Sequence, residues 1–355
     1  MMGEEFTLFP DIQTVPVFPS TRYQGSKQKF IDWIWMCIKH LKFDTALDAF
    51  GGTGCVAYRL KQEGKAVVYN DILSFNSVIG KALIENETVT LSESEVDKLL
   101  ENLSYDEYPH FIENTFKDVY FTDEENRWLD MVSFSIRQMD DEYKQALAYF
   151  ALFQSCIIKR PYNLFHRKNL YVRFSDVKRN FGNKTTWDTP FEVHFRKFVQ
   201  EANQAVFSGR HRACVKNGDA LKIEEKFDLV YIDTPYLNES GVGVDYADFY
   251  HFLNGLLSYD NWAEMIDYRS KHLRLLRQDS VWNDASKICD AFTELFSHYG
   301  DSIMVVSYRS NGSPTIECLV DKLTTLGKKV SVYKSSEMKY VLSNKKTSEV
   351  LIIAE

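Results

Sequence analysis

A chain of 355 residues with 45% hydrophobic and 26% charged side chains can bury a large core and has the balance of an ordinary globular protein. No apolar run approaches the roughly 20 residues that span a bilayer, and Met1 to Pro19 lacks the basic-then-apolar layout of a secretion signal, so a cytoplasmic protein without membrane attachment is expected. Six scattered cysteines with no CxxC pair argue against a disulfide framework or a structural zinc and for no metal at all, while a net charge of −8 speaks against nucleic acid unless positive charge is concentrated locally.

Residues 21–27, Thr-Arg22-Tyr23-Gln24-Gly25-Ser26-Lys27, read as a polar loop. Phe30, Ile31, Ile34, Trp35, Ile38 and Leu41 then recur at helical spacing, which predicts an amphipathic helix over 28–41. A strand over 45–50, carrying Asp48 and Phe50, breaks into Gly51-Gly52-Thr53-Gly54. A helix from about Cys55 to Gly64 and a strand from Ala66 to Asp71 follow. Strand, glycine loop, helix, strand and terminal acid make the βαβ layout of a nucleotide-type cofactor site. The glycines let the backbone approach a ligand, and the acid accepts hydrogen bonds from ribose hydroxyls. An acid before the glycine loop is commoner in S-adenosylmethionine (SAM) sites than in NAD sites, although a glycine turn that only packs a helix on a sheet reads the same way.

From about 80 to 210 the parallel-sheet rhythm disappears. The piece 85–145 is acidic with a helical pattern, and 144–158 is apolar enough for a buried helix. Between Lys159 and Lys184 stand eight Lys or Arg against the single acid Asp176, interleaved with aromatic rings and Asn. Cations for phosphates, amides for base edges and rings for stacking suit a nucleic-acid surface, and a solvated loop is the alternative.

The α/β pattern resumes over 212–219, a strand ending in Gly218-Asp219. It continues with Phe227-Asp-Leu-Val-Tyr-Ile-Asp233-Thr234-Pro235-Tyr236, a buried strand running into a stiff turn. Such a turn can present one carboxylate, one main-chain carbonyl and an aromatic plate, which suits a flat base with an exocyclic NH2. A glycine-spaced loop (238–246), helices near 248–258, 260–277 and 284–298, a strand (302–308), a helix (314–326) and two last strands (329–334 and 349–353) complete the chain.

Taken in order, Arg22-Tyr23-Gln24-Gly25-Ser26-Lys27, Asp48-Ala49-Phe50-Gly51-Gly52-Thr53-Gly54, Asp71, Gly218-Asp219 and Asp233-Thr234-Pro235-Tyr236 resemble the Dam-like class of adenine-specific DNA methyltransferases. Two departures stand out: that class usually reads Asp-Pro-Pro-Tyr where this chain has Thr234, and Gly-Gly-Lys where it has Gly25-Ser26-Lys27. The first is mild, because threonine offers the same main-chain carbonyl as proline.

The resemblance implies an α/β fold: a Rossmann-like class I methyltransferase sheet, mostly parallel with an antiparallel C-terminal strand. SAM-binding catalytic segments 1–84 and 209–355 would flank a mainly helical inserted recognition domain over 85–208. It implies SAM as cofactor, held by Tyr23, Lys27, Asp48, Phe50, Gly52, Gly54, Asp71, Asp219 and Asp233. A flipped adenine would meet Asp233, Thr234, Pro235 and Tyr236. Double-stranded DNA is then the partner, in a restriction-modification pair with a cognate endonuclease or in a solitary or phage role, with the oligomeric state open. Arg160, Arg167, Lys168, Arg173, Lys178 and Arg179 would divide between phosphate and base contacts, with Arg167 or Arg173 reading a base. The same chemistry on cytosine or RNA, and a catalytically weakened DNA-binding homologue, remain alternatives. An NAD oxidoreductase is disfavoured by the glycine spacing.

Overall fold

Seven strands build the central sheet: β1 (Thr45–Asp48), β2 (Ala66–Asp71), β3 (Cys214–Asn217), β4 (Leu229–Ile232), β5 (Ile303–Arg309), β6 (Val330–Lys334) and β7 (Glu349–Ala354). The computed structural model describes residues 16–175, 184–238, 241–335, 338–339 and 346–355. The strand order is β3-β2-β1-β4-β5-β7-β6. Pairs β3–β2, β2–β1, β1–β4 and β4–β5 are parallel, whereas β7 runs antiparallel between β5 and β6. This is the Rossmann-like methyltransferase sheet, and its order reverses at β1 beside β4, where open α/β sheets bind ligands.

The alternation of side chains along β4 divides the core. Tyr231 belongs to an apolar cluster with Tyr69, Phe75, Phe150 and Leu351, while Val230 and Ile232 point into a second one with Phe292, Leu319 and Ile352. Leu229, Val230, Tyr231 and Ile232 are all buried, as expected of a parallel strand covered on both faces.

Between β2 and β3 the described chain is helical. The Glu93–Leu99 and Asp123–Arg137 helices begin on Ser92 and Thr122, whose hydroxyls accept from the amides of Glu95 and Glu125 in capping boxes. The Glu142–Ile158 helix is buried continuously from Ala146 to Ile158. It packs against Phe191–Ala205 and the Ser74–Gly80 helix that follows β2, so the helical region shares its core with the sheet.

The expected helix over 260–277 is not formed. Only Trp262–Met265 makes a turn, after which Ile266 pairs antiparallel with Leu275. The carboxylate of Asp267 pairs with both Arg269 and Arg274 across this loop, and it accepts from the Arg269 amide at 3.2 Å, a local side-chain-to-backbone bond that competes with helix formation. The expected helix over 248–258 is also divided, into Tyr246–Phe249 and His251–Leu257. The remaining differences are of one to four residues at element ends. Among the described residues no helix is long and apolar enough to cross a membrane, and no three or more His, Cys, Asp or Glu are grouped to hold a metal.

Candidate active site at the carboxyl edge of the sheet

The strands β1, β2 and β4 all end on or next to an acid at the same edge: Asp48, Asp71 and Asp233. They open on a cavity of about 620 Å³, within the usual range for small-molecule sites. Tyr23, Lys27, Asp48, Phe50, Gly52, Asp71, Asp219, Asp233, Thr234 and Pro235 all line it. Gly54 and Tyr236 lie outside that lining. Gly54 closes the loop instead, at φ 80°, where it precedes the Cys55–Gln62 helix.

The glycine loop is held from β2. The Gly52 amide donates to Asp71 Oδ2 at 2.8 Å, and the Leu73 amide to Asp71 Oδ1 at 2.8 Å. A Cβ at Gly51 would stand 2.0 Å from the Tyr69 ring, so no larger residue fits there. Burial raises the Asp71 carboxyl, while those two amides oppose the rise.

Asp48 is 1% exposed and accepts from the Ala57 amide through Oδ2, but its buried Oδ1 has no partner. Burial, with the charge of Asp233 adding to it, pushes the Asp48 carboxyl up to about 8. A buried acid with an open oxygen, beside glycine backbone, fits a small ligand that carries cationic or donor groups.

Asp233 is the meeting point of the site. Lys27 Nζ lies 2.8 Å from Asp233 Oδ1 and 3.3 Å from Glu349 Oε1. Burial pushes the Asp233 carboxyl up to about 6, with Lys27 pulling it down and Glu349 pushing it up. Burial likewise works against the Lys27 ammonium, but the two carboxylates overcome it and hold its pKa well above the usual value. Lys27, assigned by the resemblance to the cofactor, thus has its ammonium between two carboxylates of the protein. Thr234 is 2% exposed and its Oγ1 is buried without a partner.

Aromatic rings complete the walls. The Tyr23 ring stacks on Tyr250 at 4.5 Å and on Tyr246 at 5.6 Å. The Phe50 ring meets Trp282 edge-on at 5.4 Å. Arg309 on β5 donates to the Tyr236 hydroxyl at 3.3 Å and places its guanidinium 5.1 Å from that ring's centroid. Sequence reasoning passed over Glu349, Arg309, Tyr246, Tyr250 and Trp282. Only Tyr246 and Tyr250, just beyond the Asp233 turn, carried a signal that proximity in the chain could have caught.

The basic stretch is divided. Arg160 is 1% exposed and donates to the carbonyls of Tyr120, Leu164 and Arg167 and to the Asn169 side chain. Arg173 is 4% exposed and forks onto both oxygens of Glu125, at 2.6 and 2.7 Å. These two arginines are internal braces, which corrects the expectation that they face DNA: a buried guanidinium already engaged by acceptors of the protein is not presented to a phosphate or base. Arg167 and Lys168 are exposed, as are the rings of Tyr162, Tyr171 and Phe174. Lys178 and Arg179 lie outside the described residues.

A model of the family described as D12 class N6 adenine-specific DNA methyltransferase matches residues 23–311. The chain is 28% identical to the Type II methyltransferase M2.HphI of Haemophilus parahaemolyticus over 355 aligned residues, which cover 96% of this chain and 98% of that one. It is 24% identical to the Type II methyltransferase M.NlaIII of Neisseria lactamica over 82% of this chain and 84% of that protein. It is also 25% identical to the Modification methylase StsI of Streptococcus sanguinis, over 93% of this chain and 51% of that longer protein. A match that runs from the Tyr23 loop to just past β5 takes in most of the sheet and the helices inserted in it, and the chain belongs to the D12 class N6 adenine-specific DNA methyltransferase family.

Proposed function

We propose that this enzyme methylates adenine N6 at a specific sequence in double-stranded DNA, as the modification partner of a cognate endonuclease. Relatives named as type II methyltransferases and a modification methylase support that role. SAM, the methyl donor of this family, supplies an activated sulfonium methyl. The residues present fit it: the glycine loop permits close approach, and Asp48 offers a buried oxygen without a partner. In this reading Asp48, Phe50, Gly52, Asp71 and Asp219 hold the cofactor, and Tyr23 closes the wall beside it.

The single observation that carries the proposal is that Asp233 and the Thr234-Pro235 turn open into the same cavity as the glycine loop. Adenine's amine is a poor nucleophile because its lone pair is delocalised into the ring. The Asp233 carboxylate and the Thr234 carbonyl accept from that amine, orient the lone pair, and stabilise the positive charge that grows on nitrogen as it takes up the methyl. Tyr236 gives the base a stacking surface, worth about 1–3 kcal/mol. The inserted region 85–208 presents Arg167 and Lys168 to the duplex.

The test is incubation of mixed-sequence DNA with labelled SAM, followed by identification of the modified base and its flanks. N6-methyladenine in one sequence context is expected. Label on cytosine, or on RNA alone, would overturn the reading.

A further inference from the structure

The Lys27 ammonium next to Asp233 raises an electrostatic problem. Attack by a neutral amine builds positive charge on N6, and an acid serves that charge only if its own charge is not cancelled. Asp233 and Lys27 taken together are neutral. Placed 2.8 Å apart in a buried site, they would offer the reacting nitrogen a dipole rather than an anion.

The sheet supplies a third charge. Because β7 runs antiparallel, its first residue lies at the edge where the parallel strands end, and Glu349 pairs in register with Arg309, the last residue of β5. Glu349 is 1% exposed, its Oε1 lies 3.3 Å from Lys27 Nζ, and the same oxygen accepts from the Ser307 hydroxyl at 2.7 Å. Glu349 lies outside the segment matched to the family.

We propose that Glu349 is a positioning residue for methyl transfer, which engages Lys27 and returns the group Asp233–Lys27–Glu349 to a net charge of −1. The proposal rests on the reading of Asp233 as the acceptor for the amine. With Glu349 in place, Lys27 keeps a carboxylate partner when the amine takes its place on Asp233. A buried ion pair contributes little to stability compared with apolar packing, so burying both charges here is better explained by function. The other groups facing Asp233 do not supply the charge. Burial keeps Asp48 on β1 largely protonated near neutrality, with a pKa of about 8. Tyr231 on β4 and Tyr236 and Tyr246 have hydroxyl pKa values raised above normal, chiefly by burial, and Arg309 bears on Tyr236.

The test is charge rescue in single-turnover methylation of cognate DNA at saturating SAM and pH 7. Glu349→Gln keeps the shape and an accepting oxygen but leaves the group neutral. It should melt and bind SAM like the parent, yet transfer about ten- to a hundredfold more slowly, less than the ~10²–10³ lost with a group that touches the reacting atoms. Glu349→Asp keeps the charge and should recover much of the rate. A Glu349→Gln enzyme as fast as the parent, or a Glu349→Asp enzyme as slow as Glu349→Gln, overturns the proposal. Should Glu349→Gln not fold, Ser307→Ala takes its place: a slower transfer at unchanged SAM affinity supports the proposal, and an unchanged rate overturns it. If the parent itself leaves no N6-methyladenine, the functional reading fails; if the parent methylates and Glu349→Gln keeps pace, only the role of Glu349 fails.

Discussion

The Nζ of Lys27, from the loop before the first helix, sits 2.8 Å from Oδ1 of Asp233, at the end of β4. That contact ties the loop before the first helix to the turn proposed to meet the substrate. It also sets the ionisation of Asp233, because the ammonium opposes the rise caused by burial.

Asp233→Ala should therefore abolish methyl transfer while SAM still binds. Loss of a partner to developing charge typically costs about 10²–10³ in rate, and a charged partner more. In the parent the rate should fall as pH drops through about 6, where the Asp233 carboxyl takes up a proton and stops accepting. Lys27→Met should move that limb to higher pH, since the ammonium favours the carboxylate. Single-turnover rates across pH 5–9 check both statements.

Thr234→Val should leave methylation intact and raise stability by about 1 kcal/mol. The Thr234 hydroxyl is buried without a partner, a costly state, and the carbonyl assigned to the amine remains. Thermal melting alongside a methylation assay measures this. Lost activity would show that the hydroxyl itself meets the base.

Asp71→Ala should weaken SAM binding about ten- to a hundredfold, the range expected for hydrogen bonds to a charged group. Its carboxylate fixes the amides of Gly52 and Leu73, so the cradle loosens together with any direct contact. Calorimetry with SAM decides; unchanged affinity would remove Asp71 from the site.

Asp48 gives stability a pH dependence. Its folded pKa of about 8 lies above the ordinary 3.8, so its contribution is complete below about pH 4 and is lost as pH rises to about 8. The slope is at most ~1.4 kcal/mol per pH unit. Asp48→Asn should flatten the fall in melting temperature between pH 6 and 8. A variant with the same slope as the parent would contradict the raised pKa.

The two kinds of cation in the basic stretch should separate by measurement. Neutralising exposed Arg167 or Lys168 should weaken DNA binding and reduce its salt slope by about one unit if a phosphate contact is lost. Arg173→Ala should instead lower the melting temperature, by about 1–3 kcal/mol of stability, because half-buried Glu125 loses its two-pronged partner and keeps Lys159. Binding across a salt range and thermal denaturation distinguish the two.

Much of the site was legible in the sequence because its motifs are local. Asp48 with its glycine loop, Asp71 and Asp233 with its turn each announce a strand end by the residues that follow it, and their order along the chain fits one sheet topology. Charge patterning failed where long-range packing intervened. Arg160 and Arg173 look like their exposed neighbour Arg167, and only Tyr120, Glu125 and the surrounding carbonyls decide that two of the three are buried. Glu349 could not be foreseen at all. Nothing next to it in the chain marks it, and it reaches Lys27 only because an antiparallel final strand brings its first residue to the edge where the parallel strands end. Sequence determined which chemical groups were available and in what order; the direction of one strand and the burial of a few charges decided which of them meet.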